Sequence, residues 1–210
     1  MREENLIFII SLPRSGSTFL QSILSNNDQV NTCSEPWILL NYANQLKPSL
    51  ITTEFDNLLT TEAFKDYKNK FSDFDFEKKL KDFLLSLYSP LNKGHKYVLD
   101  KTPRYWHILE EIKHIFPKSK IIVLKRNPLE VARSIFLTWD VNNLEGLIPY
   151  KNDLLKGPWA IKTFEDKYSS NEDVFFLKYE DLLENPDNIS LELYNWLEIP
   201  FKPGVLNIEG

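Results

Sequence analysis

Four short runs of the 210-residue chain are built entirely of apolar and aromatic side chains: Leu6–Ile10, Tyr97–Leu99, Ile121–Leu124 and Val174–Leu177. A strand with one face in water alternates apolar and polar residues. Unbroken runs instead call for strands covered on both faces, as in a parallel sheet between helical layers. A weaker strand candidate spans Gln29 to Cys33. The segments between the runs carry a helical period. Phe19, Leu20, Ile23 and Leu24 form one apolar face, and Leu129, Val131, Ala132 and Ile135 follow Asn127-Pro128, a capping residue with a first-turn proline. Tyr105 to Phe116 reads as a further helix, stopped by Pro117. Strands alternating with helices predict an α/β domain, a three-layer α/β/α arrangement around a central, mainly parallel sheet.

The stretch from Trp37 to Lys93 departs from that rhythm. It is rich in Leu, Phe, Asp and Lys, has no convincing strand, and reads as a helical insertion in a single domain spanning residues 1–210. Leu80, Phe83, Leu84 and Leu87 are expected to form the inner face of one of its helices; the insertion is a natural place for recognising an acceptor, and helical packing alone explains it equally well. The net charge of −5 argues against non-specific nucleic-acid binding and requires any anion site to be a local cluster of cations. Cys33 is the only cysteine, so no intramolecular disulfide can form; a cytoplasmic location and a core-filling role for Cys33 are the expectations. No run approaches the roughly 18 apolar residues of a membrane span, and Leu6–Ile10 is too short for the core of a secretion signal.

The chemistry concentrates at the ends of the runs. Ser11-Leu12-Pro13-Arg14-Ser15-Gly16-Ser17-Thr18 follows the first strand and opens the first helix, a turn that aims backbone N–H groups and the helix dipole at an anion. Gly16 permits close approach, Ser17 and Thr18 supply hydroxyls, and Arg14 supplies a planar fork of donors. The turn lacks the Gly-Lys-Ser/Thr ending of a Walker A loop. Ile121-Ile122-Val123-Leu124-Lys125-Arg126-Asn127-Pro128 places Arg126 at the carboxyl end of a buried strand, where α/β folds bind ligands, with Ser134 about two turns into the next helix. Taken alone, that pair is more often a surface arginine and a helix serine.

Together the two motifs resemble the 5′-phosphosulfate loop and the 3′-phosphate-binding strand and helix of sulfotransferases that use 3′-phosphoadenosine-5′-phosphosulfate (PAPS). The similarity extends to Leu99-Asp100-Lys101-Thr102-Pro103-Arg104-Tyr105 and Leu177-Lys178-Tyr179-Glu180-Asp181-Leu182-Leu183-Glu184-Asn185-Pro186, and thus runs from residue 6 to about 200. The bacterial and tyrosylprotein branches match best, because the cytosolic arylsulfotransferases usually carry lysine where this chain has Arg14. The resemblance implies the P-loop-type sulfotransferase fold. It further implies that Arg14, Ser15, Gly16, Ser17 and Thr18 hold the 5′-phosphosulfate, and that Arg126 and Ser134 hold the 3′-phosphate.

By the same resemblance, Glu35 in Ser34-Glu35-Pro36-Trp37 is the general base for the acceptor hydroxyl, although a lone glutamate is ordinarily a solvated charge. Lys101 is the cation expected to stabilise the transferring sulfonate, with Arg104 held as the other candidate. The expected products are a sulfate ester and 3′-phosphoadenosine-5′-phosphate (PAP), with no metal: His95, His107 and His114 form no ligand motif. The five tryptophans are read as core and pocket walls, and Tyr179 as a strand-to-helix residue near the nucleotide. The acceptor is left open among hydroxyl-bearing small molecules, sugars, lipids and peptides.

Two rival readings remain. A nucleotide or small-molecule kinase would also need a phosphate loop, but the Walker lysine and a magnesium-holding aspartate after a strand are missing. A non-catalytic PAP-binding module would keep Arg14 and Arg126 and have no need of Glu35 or Lys101. Relatives commonly continue well past Ile199-Pro200-Phe201 with a basic, glycine-rich nucleotide loop, so the chain is expected to be either a compact member or a shortened one that holds PAPS weakly.

Overall fold

The computed structural model describes residues 1–201. The C-terminal stretch that bears on the compact-or-shortened question lies outside the described residues. Five strands form one sheet: β1 (Leu6–Ser11), β2 (Val30–Thr32), β3 (Tyr97–Lys101), β4 (Lys120–Lys125) and β5 (Val174–Lys178), in the order β2-β3-β1-β4-β5. Every pairing is parallel, with Phe8 opposite both Asp100 and Ile121. β1 is therefore central, and all six of its residues are buried.

The pleat divides that strand between two cores. Leu6, Phe8 and Ile10 join Val98, Ile121 and Val123 on one face, while Ile7 and Ile9 join Leu99, Ile122 and Leu124 on the other. The expected burial on both faces is observed. It weakens at the edge strand β5, where Phe175 and Phe176 are only partly covered.

Among the described residues the α-helices, in chain order, are α1 (Ser17–Ser25), α2 (Ile38–Asn41), α3 (Ala43–Leu46), α4 (Asn57–Lys70), α5 (Phe76–Asn92), α6 (Leu109–Ile115), α7 (Pro128–Thr138), α8 (Lys151–Leu155), α9 (Gly157–Tyr168), α10 (Tyr179–Glu184) and α11 (Pro186–Trp196). Leu20, Ile23 and Leu24 of α1, Leu182 of α10 and Leu193 and Tyr194 of α11 fill the second core. Leu84 and Tyr88 of α5, Ile112 of α6, Val131 and Ile135 of α7 and Phe164 of α9 fill the first. The result is the three-layer α/β/α architecture. Asp56 and Asp75 cap α4 and α5 by accepting the amides of Leu59 (2.9 Å) and Lys78 (2.8 Å), and Asn127 caps α7 through Leu129 (3.0 Å). No helix among the described residues is long and apolar enough to cross a membrane.

Three expectations need correction. The helix read from Tyr105 to Phe116 is split: Pro103–Ile108 is 3₁₀, and only Leu109–Ile115 is α-helical. The tips of Tyr105 and Trp106 are drawn inward to carboxylates, and Ile108 leaves helical geometry at φ −126°. Phe83 does not join the inner face of α5; it is exposed, and Tyr88, one turn past Leu84, takes the buried place. Leu129 likewise points outward at the start of α7.

The chain order positions the site. The connection after β1 carries α1 to one face, and the connection after adjacent β4 carries α7 to the other. The two loops part at the carboxyl ends of neighbouring strands, which opens a crevice there in folds of this kind.

Candidate active site

A cleft of about 560 Å³ lies at those strand ends, lined by residues from the connections that follow each of the five strands. Its floor is the turn after β1. Arg14 adopts φ 65° and Gly16 φ 87°, both left-handed, and this brings the chain round so that α1 starts at Ser17. The first amides of a helix have no partner within it, so the start of α1 presents donors and the positive end of a dipole to the cleft. Gly16 is required on two counts. Its φ is unfavourable for a residue with a side chain, and a Cβ there would stand 2.1 Å from Cε2 of Tyr179.

Arg126, at the end of β4, ties this turn to the rest of the crevice. Its Nη1 donates to the Arg14 carbonyl at 2.9 Å, and its guanidinium lies 4.6 Å from the centre of the Tyr179 ring. Arg14 reaches across to α7, donating from Nε to Ser134 Oγ at 3.4 Å and from Nη2 to Thr138 Oγ1 at 2.9 Å. Both arginines and Ser134 thus border one space.

On the other side of β1, Lys101 ends β3 and Glu35 follows β2. Lys101 Nζ donates to Glu35 Oε1 at 2.7 Å and to Thr18 Oγ1 at 3.4 Å. The lysine side chain is 3% exposed and the glutamate 33%, so the pair sits at the wall with the carboxylate toward solvent. A carboxylate, an ammonium and a helix-start hydroxyl therefore meet at one point. Such a set can accept a proton and stabilise negative charge side by side.

The sulfotransferase family's sequence profile matches residues 6–203. The chain belongs to the sulfotransferase family. It is similar to nodulation protein NoeE of Sinorhizobium fredii, 27% identical over 144 residues that make up 65% of this chain and 32% of that protein. It is also similar to the protein-tyrosine sulfotransferase of Drosophila melanogaster, 22% identical over 212 residues that cover 99% of this chain and 41% of the relative. The chain thus spans less than half the length of either. Two solved structures share its fold. The sulfotransferase domain from the curacin biosynthetic pathway has a TM-score of 0.66 at 22% identity, covering 100% of this chain and 80% of that one. A mouse sulfotransferase complexed with PAP has a TM-score of 0.58 at 15% identity, covering 97% and 62%.

Of the residues singled out from the sulfotransferase motifs, Arg14, Gly16, Ser17, Thr18, Glu35, Arg126 and Ser134 all line the cleft. Lys101 meets it through Glu35 and Thr18. Ser15 differs: its side chain is wholly buried and its hydroxyl has no hydrogen-bond partner, so only its backbone can serve an anion. Of the two candidate cations, Lys101 is the one that contacts Glu35. Arg104 also borders the cleft but is held by Asp153 Oδ2 at 3.1 and 3.2 Å.

Tyr179 does lie in the cleft, and Trp37 and Trp139 are walls of it, whereas Trp159 is exposed elsewhere. Tyr150, stacked on Trp139 with centroids 4.6 Å apart, was not legible in the sequence, because a 3₁₀ turn over Glu145–Tyr150 brings it there. Thr138, which accepts from Arg14, was also missed, although it stands one helical turn from Ser134 and shares its face.

Neither the cysteine nor any of the histidines is among the residues lining the cleft. Burial, aided by Asp100, pushes the Cys33 thiol up, away from a reactive thiolate. His107 stacks on Trp106, and burial holds its imidazole below the usual range. His114 pairs with Glu77 at the surface. Among the described residues no group of three or more His, Cys, Asp or Glu is placed to hold a metal ion.

Proposed function

We propose that this chain transfers a sulfonate from PAPS to a hydroxyl of an acceptor, with Glu35 as general base. The observation that carries the reading is the meeting of Lys101 Nζ with Glu35 and Thr18, three groups from three different strand ends. A module that only binds PAP has no use for a carboxylate fastened beside its anion loop.

The residues fit the donor at both ends. The α1 start and the Gly16 cradle suit the phosphosulfate, and Arg126 with Ser134, on the far side of Arg14, suits the 3′-phosphate. Glu35 takes the proton of the acceptor hydroxyl as its oxygen attacks sulfur. The bond from sulfur to the bridging phosphate oxygen breaks, and the electron pair leaves with PAP. Lys101 and the α1 amides face the charge that gathers on that oxygen. The acceptor is a hydroxyl compound, and Trp37, Pro103, Arg104 and Tyr150 line the same cleft.

Calorimetric titration with PAP, with ATP as competitor, tests the donor. Removing the guanidinium in Arg126→Ala is expected to cost about 1.5–3 kcal/mol per charge-assisted bond lost. Binding of ATP as tight as PAP would overturn the 3′-phosphate assignment.

A further inference from the structure

Asp100 sits beside the site without entering it. Its side chain is wholly buried on β3 beside α5, and its carboxylate accepts three hydroxyls: Tyr88 at 2.7 Å, Tyr105 at 2.8 Å and Thr102 at 2.9 Å. An ionised carboxylate can only accept, so each of these hydroxyl hydrogens is committed to it. Two of the same hydroxyls accept in turn from backbone amides. Leu39 N–H donates to Tyr105 Oη at 3.0 Å, and Trp37 N–H donates to Thr102 Oγ1 at 3.3 Å. Two amides at the beginning of α2 therefore hang from one carboxylate through two relays.

The sequence neighbours of these groups give the arrangement its consequence. Lys101 follows Asp100 directly, and Glu35 lies two residues before Trp37. Trp37 holds φ 53°, a left-handed conformation that a bulky side chain adopts only under restraint, and its amide bond to Thr102 supplies that restraint. Burial of Asp100 is costly in itself; it pushes the carboxyl up to about 6, against the lowering effect of the three hydroxyls and Lys101. A space-filling position would be served more cheaply by an apolar residue.

We propose that Asp100 is a positioning residue for the Glu35–Lys101 pair, tying the Trp37–Leu39 backbone to the end of β3 through Thr102 and Tyr105. The use made of that pair rests on the sulfotransfer reading above; the tether does not.

The test separates the two. Amide hydrogen exchange of Trp37 and Leu39, PAP affinity, and kcat and KM for PAPS are measured in the wild type, Thr102→Val, Thr102→Ser, Tyr105→Phe and Asp100→Asn. Thr102→Val is expected to expose the Trp37 amide to exchange, Tyr105→Phe the Leu39 amide, and Asp100→Asn both. PAP affinity and KM for PAPS stay within about twofold, and kcat falls by up to about 10²-fold, as for displaced reacting groups. Thr102→Ser, which keeps the hydroxyl, restores both protection and kcat. Unchanged protection in folded Thr102→Val and Tyr105→Phe overturns the tether, whether or not Asp100→Asn folds. Lost protection with unchanged kcat overturns the positioning role. A wild type that does not bind PAP refutes the sulfotransfer reading, while the exchange data still decide the tether.

Discussion

At the strand ends that border the cleft, Lys101, Glu35 and Arg126 are each held by fixed partners. In and around α4, within the helical stretch between Ile38 and Asn92, apolar side chains are left outside. Lys101 is buried against Glu35, and Arg126 is fastened to the Arg14 carbonyl and the Tyr179 ring. By contrast α4 buries no residue at all, and Phe55, Leu58, Leu59, Tyr67 and Phe71 are all at least half exposed. Its aromatics lean on one another and their neighbours, Tyr67 on Phe71 at 4.9 Å and Phe74 on Phe76 at 4.8 Å, rather than on the core. The difference shows where the fold invests its order. The sheet sets the positions of the strand ends, and polar groups there are committed to fixed partners. The helical stretch packs on the first core through Leu39, Leu84 and Tyr88 and the partly buried leucines of α2, α3 and α5, whereas α4 lies outside that packing.

The contrast breaks most visibly at Glu35. Glu35→Gln keeps an oxygen to accept from Lys101 but removes the base. It is expected to lower kcat by about 10²–10⁴-fold with PAP affinity nearly unchanged. Steady-state kinetics beside PAP titration checks this, and a kcat within a few-fold of wild type would remove Glu35 from the chemistry. The anchoring of the helical stretch is tested next by Leu84→Ala. Leu84 is wholly buried against the first core, so truncation should cost about 2–5 kcal/mol in urea unfolding. A loss below 1 kcal/mol would mean that the stretch docks by other contacts.

Asp100 sharpens the strand-end side of the comparison through pH. Burial raises its carboxyl from an ordinary 3.8 to about 6. The folded state therefore holds a proton that the unfolded chain has released between those values. The stability this confers is present in full below about 3.8 and is withdrawn as pH rises through about 6, a change of about 3 kcal/mol by linkage. Asp100→Asn has no such proton to lose. Its stability relative to the wild type should rise between pH 4 and pH 7, and urea unfolding across that range reads the difference. A pH-independent difference would mean that Asp100 remains ionised in the fold throughout.

Most of this architecture was legible because burial writes itself into composition. Four apolar runs identified four strands, and the weaker Gln29–Cys33 candidate supplied the fifth, Val30–Thr32. The motifs at the strand ends were legible because loop chemistry is local: Gly16 with its hydroxyl neighbours, and Asn127-Pro128 capping α7. What was not legible depends on the third dimension. Tyr150 reaches the cleft through a 3₁₀ turn, and Asp100 looked like any strand aspartate until Tyr88, Tyr105 and Thr102 closed around it. The 3₁₀ segment over Pro103–Ile108 was misread for the same reason, since tertiary hydrogen bonds at Tyr105 and Trp106 overrode a helical pattern. Exposed Phe83 and Leu129 show the limit of periodicity, which finds an apolar face without saying whether anything covers it.

The smallest expected effect falls on α4 and closes the comparison from the other side. Leu58 is 80% exposed in the first turn of that helix, so Leu58→Ala removes little packing and slightly improves helix propensity. Its effect on stability should lie within about 0.5 kcal/mol of zero, an order of magnitude below the upper range expected for Leu84→Ala in the same stretch. If Leu58→Ala instead destabilises the chain by 2 kcal/mol or more, the exposed row on α4 is covered in solution. Concentration dependence of that loss would then identify a second copy as the cover. A loss independent of concentration would assign the cover to a contact within the chain, and the two regions would differ less in order than their burial implies.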